Sequence, residues 1–348
     1  MEQNIFEKLP GALLPWYGEN KRDLPWRQDR DPYHIWLSEI MLQQTRVEAV
    51  KGYYSRFLSA LPTVQSLANA DDELLHKLWE GLGYYSRVRN LKKAAQAIME
   101  MHGGKFPREY QAVLALPGIG PYTAGAVCSI AFDCPVAAVD GNVLRLISRL
   151  TNNSTPIDLP AYKTQIQRSL ERVYPAEAGT FTQALMELGA TVCGPNRKPD
   201  CENCPCGDFC VGRAAGTADA LPVKSPKRGR RQERLTVFVL SSEGNYALQK
   251  RLPEGLLAGL WQFPNVPGKL ETAAALAEVE QMGLHPKEML RQVERKHVFT
   301  HVEWEMRGVY IEVSQPGGDL CWRTAEQIRQ ETALPTAFRQ FWEEIEHV

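Results

Sequence analysis

Residues 116–143 read LPGIGPYTAGAVCSIAFDCPVAAVDGNV, and the reading of this stretch decides the fold. Ala112, Val113 and Leu116 close one helical pattern, and Pro117-Gly118-Ile119-Gly120 turns the chain. Thr123, Ala124, Ala126 and Val127 then open a second, tightly packed helix. Glycine serves the turn in two ways: it reaches backbone angles closed to other residues, and it lets a foreign group approach the main chain. The N–H groups at the start of the following helix form an anion site suited to a phosphate. Further on, Asp140-Gly141-Asn142 places a carboxylate at the foot of another apolar helix, Val143, Leu144, Leu146 and Ile147. A phosphate grip and a carboxylate therefore share one compact unit.

Around that unit lies a chain of 348 residues, enough for two or three domains. Hydrophobic residues make up 44% and charged residues 23%, the balance of a soluble globular protein. No basic start leads into an apolar run and no stretch reaches the length of a membrane span, so the expected compartment is cytoplasmic, with no membrane contact. The net charge of −1 lacks the basic excess of many nucleic-acid binders; a polyanionic partner requires positive charge gathered on one face.

The first 30 residues contain one short helix, then Arg22-Asp23-Leu24-Pro25-Trp26-Arg27, an extended segment with an aromatic and cations. From Tyr33 to Phe57 the pattern is helical, with Glu39, Gln43 and Arg46 as a polar stripe that either faces solvent or lines a cleft. GLGYYSRVRNL sets Tyr84 and Tyr85 beside Arg87 and Arg89, either core aromatics or a stacking group next to phosphate-seeking cations. Helices continue to about Leu188. Gly, Ala and Pro, then the basic run Lys224 to Arg231, mark a linker. Beyond it, strand-like runs at Leu235 to Leu240, Tyr246 to Gln249 and Val309 to Val313, with helices near Glu271 to Met282 and at the C-terminus, predict an α+β domain.

Between the helices and the linker, four cysteines are spaced Cys193-x7-Cys201-x2-Cys204-x5-Cys210, with an additional Cys206. In a chain without export signals such clustering points to metal rather than disulfides. Four thiolates in one loop suit tetrahedral zinc or a [4Fe–4S] cluster, and spacing alone leaves both open. Cys204 alone gives both the x2 and the x5 gap, so Cys206 reads as a bystander.

LPGIGPYTAGA followed by AVDGNVLRLISRL resembles the helix-hairpin-helix-Gly/Pro-Asp superfamily of DNA base-excision glycosylases, and the cysteine order resembles the iron–sulfur loop of its endonuclease III and MutY relatives. The first gap is one residue longer here than is usual in those loops. SEIMLQQTRV, LPWR, GLGYYSRVRNL and ALMELGATVC narrow the likeness to the MutY family of adenine DNA glycosylases. RLPEGLLAGLWQFPNV resembles that family's Nudix-like C-terminal domain, but Glu271, Glu278 and Glu280 are too few and wrongly spaced for the Mg²⁺-binding Nudix box. The expected architecture is multi-domain: an all-α helix-hairpin-helix glycosylase domain over 1–212 with an iron–sulfur loop at 193–210, a basic linker over 213–232, and an α+β Nudix-like lesion-recognition domain over 233–348.

The resemblance implies an enzyme that hydrolyses the N-glycosidic bond of adenine mispaired with 8-oxoguanine or G in duplex DNA, acting as a monomer with a [4Fe–4S] cofactor. Glu39 would be the general acid and base, and Asp140 the stabiliser of the sugar cation, with Tyr122 and Asn142 positioning. Trp26, Arg27 and Gln183 would line the pocket of the flipped adenine. Gln44, Thr45 and Tyr84 would lie at the lesion, and Phe299, Thr300 and His301 would match the lesion-reading Phe-Ser-His loop, with Thr300 in the Ser place. Gly118, Gly120, Arg197 and Lys198 would hold DNA phosphates, and Cys193, Cys201, Cys204 and Cys210 the cluster. Lyase-type members carry a lysine where this chain has Tyr122, which implies a monofunctional enzyme. A bifunctional lyase and a non-catalytic DNA-docking protein are the alternatives.

Overall fold

The computed structural model describes residues 2–195, 198–226 and 229–346. It divides into two compact units: a helical one, the chain up to Ala70 together with Arg89–Pro226, and a second made of Asp71–Val88 and the residues beyond 226. Among the described residues no helix is long and apolar enough to cross a membrane.

The helical unit begins with α1 (Glu2–Asn20), which runs on through Pro10 and Pro15 and is longer than the short helix expected. A single 3-10 turn at Pro25–Arg27 leads to α2 (Pro32–Leu42), capped by the Asp31 carboxylate on the Tyr33 N–H. The helix expected over Tyr33–Phe57 is two helices: α2 ends at Leu42 and α3 spans Val47–Ala60. Gln44, at φ 60°, breaks the chain between them in left-handed backbone. After α4 (Val64–Ala68), α5 (Asp72–Leu78) belongs to the second unit, and α6 (Ser86–His102) starts at the boundary. Then follow α7 (Tyr110–Leu114), α8 (Pro121–Phe132), α9 (Gly141–Leu150), α10 (Pro160–Glu171), α11 (Ala178–Thr191) and the short α12 (Val211–Ala214).

Helix α8 explains why the hairpin sequence is rich in small residues. It is buried from Thr123 to Ile130 and packs on α2, α7 and α11. A Cβ added at Gly125 would come within 2.5 Å of the Ala137 carbonyl oxygen, so the helix centre admits no side chain there. Its C-terminus is closed by Asp133 in left-handed backbone, whose carboxylate accepts the Gly179 N–H at 2.9 Å and an Arg30 guanidinium. One capping residue thereby fixes the start of α11 and the segment before α2. Leu9, Leu13, Val143, Ile147, Phe181, Leu185 and Leu188 form the core shared by α1, α9, α10 and α11. The linker expected over 213–232 is not free at its start: Leu221 and Val223 carbonyls accept from Arg149 and Ile157, and residues up to 226 stay with the helical unit.

The second unit is built on a 7-stranded sheet of order β3-β2-β1-β6-β5, with β4 beside β1 and β7 beside β2. The strands are β1 (Arg231–Ser242), β2 (Asn245–Lys250), β3 (Trp261–Gln262), β4 (Asn265–Pro267), β5 (Pro286–Val298), β6 (Val302–Val313) and β7 (Cys321–Thr324). β1 and β6 pair in parallel from Arg231↔Val302 to Ser241↔Glu312, and β5 and β6 form an antiparallel hairpin. Alternation along β1 separates two cores. Leu235, Val237 and Val239 face Phe338, Phe341 and Trp342 of α15 (Thr336–Glu346), while Phe238 and Leu240 face Ala275 and Val279 of α13 (Thr272–Gln281). α14 (Ala325–Glu331) completes the unit. Segment 71–88 is tied in by side chains. Glu80 accepts the Leu334 N–H at 3.0 Å and pairs with Arg339 at 2.5 Å, and Glu73 takes Lys250 and the Trp261 indole N–H.

Candidate active site

A cleft of about 1210 Å³ in the helical unit is lined by Glu39, Tyr122, Asp140 and Asn142, and also by Trp26, Arg27, Gln44, Thr45, Gln183 and Lys198. Glu39 projects from α2, a helix buried over most of its length, and is itself only 6% exposed. The Glu39–Gln43 stripe thus lines a cleft rather than facing solvent. Tyr122, at the start of α8, donates its hydroxyl to the Glu39 carboxylate. Burial raises the Glu39 carboxyl to about 7, the Tyr122 hydrogen bond opposes this, and the nearby Asp140 charge adds to it. A carboxylic acid protonated close to neutrality results.

Asp140 is the N-cap of α9 and accepts the Val143 N–H at 2.8 Å and the Asn142 amide at 2.6 Å. Burial pushes its carboxyl up, while those two donors and the Arg145 guanidinium pull it back toward the ionised form. Arg145 donates to the Asn142 side-chain oxygen at 2.7 Å and to the Gly189 carbonyl at 2.6 Å. Asn142 is packed against α11 so closely that a Cβ added at Gly189 would lie 2.8 Å from its own. Two carboxylates in one cleft, one poised to give a proton and one furnished with donors, suit acid-assisted cleavage of a glycosidic bond.

Trp26 is 7% exposed, lines the cleft and makes an edge-to-face pair with Tyr54 at 5.6 Å. The sequence reading missed Glu187, which is fully buried at the same wall. Arg22 grips it through Nε at 2.7 Å and Nη2 at 2.9 Å, and Arg27 through Nη2 at 2.7 Å. Burial alone would raise this carboxyl, but the Arg22 and Arg27 hydrogen bonds override it and hold it at about 2. The missed signal was Gln183 and Glu187, four residues apart on an otherwise apolar helix, the same pattern that drew attention to Glu39.

Tyr84, Phe299, Thr300 and His301 belong to the second unit. Phe299 anchors the turn between β5 and β6 by edge-to-face contacts with His297 at 4.5 Å and Trp304 at 4.8 Å, and the Tyr84 hydroxyl meets that of Thr300 at 2.9 Å. The hairpin glycines do not line the cleft: Gly118 takes φ 75° against Asn90, where a Cβ would clash at 2.5 Å, and Gly120 caps α8. Arg197 lies outside the described residues.

Cys193, Cys201, Cys204 and Cys210 surround one small cavity beside Arg149 and Arg213. Arg149 reaches the Cys193 sulfur at 3.3 Å, and the Arg213 N–H reaches that of Cys210 at 3.4 Å. Cys206 is fully buried and absent from that lining. Among the described residues no three His, Cys, Asp or Glu side chains converge on a single-ion site. The donor set, soft thiols encircled by cations and N–H groups, fits an anionic thiolate-ligated cluster.

Residues 37–176 match the HhH-GPD superfamily of base excision DNA repair proteins and residues 236–344 the NUDIX domain family. The human adenine DNA glycosylase is 35% identical over 405 residues, covering 95% of this chain and 73% of that protein. The Schizosaccharomyces pombe adenine DNA glycosylase is 31% identical, covering 89% and 82%. Among solved structures, that of a thermostable thymine-DNA glycosylase aligns at 30% identity and TM-score 0.55, over 62% of this chain and 97% of that one. A non-covalent endonuclease III–DNA complex, at 22% identity and TM-score 0.53 over 62% and 98%, shares the helical fold. Helical fold, cleft and sequence identity along nearly the whole chain agree: it belongs to the adenine DNA glycosylase family of the HhH-GPD superfamily.

Proposed function

We propose that this chain removes adenine mispaired with 8-oxoguanine, and with G more slowly, from duplex DNA by hydrolysing its N-glycosidic bond. The observation that carries the reading is the pairing inside one cleft: Tyr122 on Glu39, and Asn142 with the Val143 N–H on Asp140. A flipped adenine enters the cleft beside Trp26, Arg27 and Gln183. Glu39, still protonated near neutrality, gives its proton to N7, which turns a poor leaving group into a neutral one. Asp140 keeps its charge and stabilises the oxocarbenium-like sugar, directly or through a transient covalent bond. Glu39, now ionised, takes a proton from the water that completes hydrolysis. Tyr122 stands where a lyase would need an amine, and its burial holds the phenol protonated, which supports a monofunctional enzyme.

Duplex DNA is gripped by the Gly118–Gly120 hairpin at the N-terminus of α8 and by Lys198, with Arg197 beside it in sequence. Gln44 and Thr45 serve the strand opposite the adenine, and Tyr84, Phe299, Thr300 and His301 read the 8-oxoguanine. The four cysteines, gathered around one cavity with Arg149 and Arg213 beside them, would hold a [4Fe–4S] cluster. When bound, the cluster fixes the shape of the loop that carries Lys198. The test is single-turnover base release from duplexes with A opposite 8-oxoguanine, G, T or C. Fast release confined to the first two is expected; tight duplex binding without release from any would replace the enzyme by a docking protein. Borohydride trapping as the main route of DNA attachment would overturn the monofunctional reading.

A further inference from the structure

Helix α1 contributes nothing to the two carboxylates, yet its Tyr17 reaches the wall of the cleft. The Tyr17 hydroxyl donates to Gln183 Oε1 at 3.1 Å, its ring carries the Arg27 guanidinium at 5.5 Å, and the residue is buried. Burial, with the Glu187 charge adding to it, raises the phenol above its ordinary value, so the O–H is present throughout the working range. The Gln183 Nε2 has a single long bond among the described residues, to the Gly179 carbonyl at 3.4 Å.

We propose that Tyr17 is a positioning residue that fixes the polarity of the Gln183 amide, so that the cleft is offered an N–H donor and never a carbonyl. A side-chain amide can turn over at little cost when both of its ends face solvent. Here both ends are claimed: the Gly179 carbonyl can only accept and keeps Nε2 on its side, Tyr17 then donates to Oε1 and holds the amide in that sense, and the second Nε2 hydrogen remains for a bound base. A donor suits a ring nitrogen of adenine, which has a lone pair there; a carbonyl in its place would set lone pair against lone pair. The inference rests on the adenine reading proposed above and adds a residue to it.

The experiment is single-turnover release of adenine opposite 8-oxoguanine by the full chain and by Tyr17→Phe, Gln183→Ala, Gln183→Glu and the double variant Tyr17→Phe/Gln183→Ala. Loss of one positioning hydrogen bond predicts a fall of about 3–10-fold for Tyr17→Phe, with a melting temperature lowered by no more than about 2–4 °C. In the Gln183→Ala background the Tyr17 effect disappears, because there is no amide left to orient. Gln183→Glu keeps an acceptor for Tyr17 but has no N–H, and falls as far as Gln183→Ala. Additive losses, a Tyr17→Phe rate equal to that of the wild type, or a fully active Gln183→Glu would each overturn the proposal. Failure of the wild type itself to release adenine is a separate result, and would sink the proposed function instead.

Discussion

At Glu39 burial decides the chemistry, because the same carboxyl on an exposed helix would be ionised at neutral pH. Burial in α2 raises it to about 7, so adenine release should fall as pH rises through that value. Glu39→Gln keeps the shape and loses the proton: base release should drop by about 10²–10⁴-fold, with duplex binding retained in a gel-shift or anisotropy titration. The same burial has an energetic sign. Below the unfolded value of 4.5 Glu39 is protonated in both states; above it the unfolded chain ionises first, so stability is lost progressively until pH passes about 7. Glu39→Gln should therefore match the wild type near pH 4 and exceed it at pH 8 by on the order of 3 kcal/mol, read from denaturant unfolding at both pH values. Equal stabilities at pH 8 would mean that Glu39 is not desolvated.

Elements place these groups, and α9 against α11 is the contact that bears on Asp140 through Asn142. Gly189→Ala pushes a methyl into Asn142, at a cost of about 1–3 kcal/mol of strain. Base release by this variant should fall more than its affinity for duplex, since Asn142 holds Asp140. Much at this scale was legible: the hairpin, the carboxylate after it and α13 follow from glycine placement and helical period. Three things were not. The break between α2 and α3 depends on Gln44 taking left-handed backbone, which no local pattern announces. The strand β5 is mostly charged on its outward positions and shows no apolar run, only an alternation of half-buried and exposed residues. The ion pairs of Glu187, though not its helical spacing from Gln183, were hidden because its partners, Arg22 and Arg27, lie some 160 residues away in sequence.

For the whole molecule, the cofactor and the division into units make separate predictions. Cys204→Ser should purify with reduced iron and acid-labile sulfide, whereas Cys206→Ser, outside the cavity lining, should keep both; equal losses would make Cys206 part of the ligand set. Glu80→Ala removes the acceptor that ties segment 71–88 to Leu334 and Arg339, at about 1–3 kcal/mol. Hydrogen exchange should then quicken at residues 332–342, with the core of α8 and α9 unaffected. The interleaved division has a consequence in time as well as in space. Segment 71–88 leaves the ribosome early, but the sheet it belongs with begins only after residue 226. At about 5–20 residues per second it waits roughly 7–28 s for that sheet. During that interval the groups that hold it, Lys250, Trp261, Leu334 and Arg339, have not been made, so an early segment of the chain can find its place only when synthesis is almost finished.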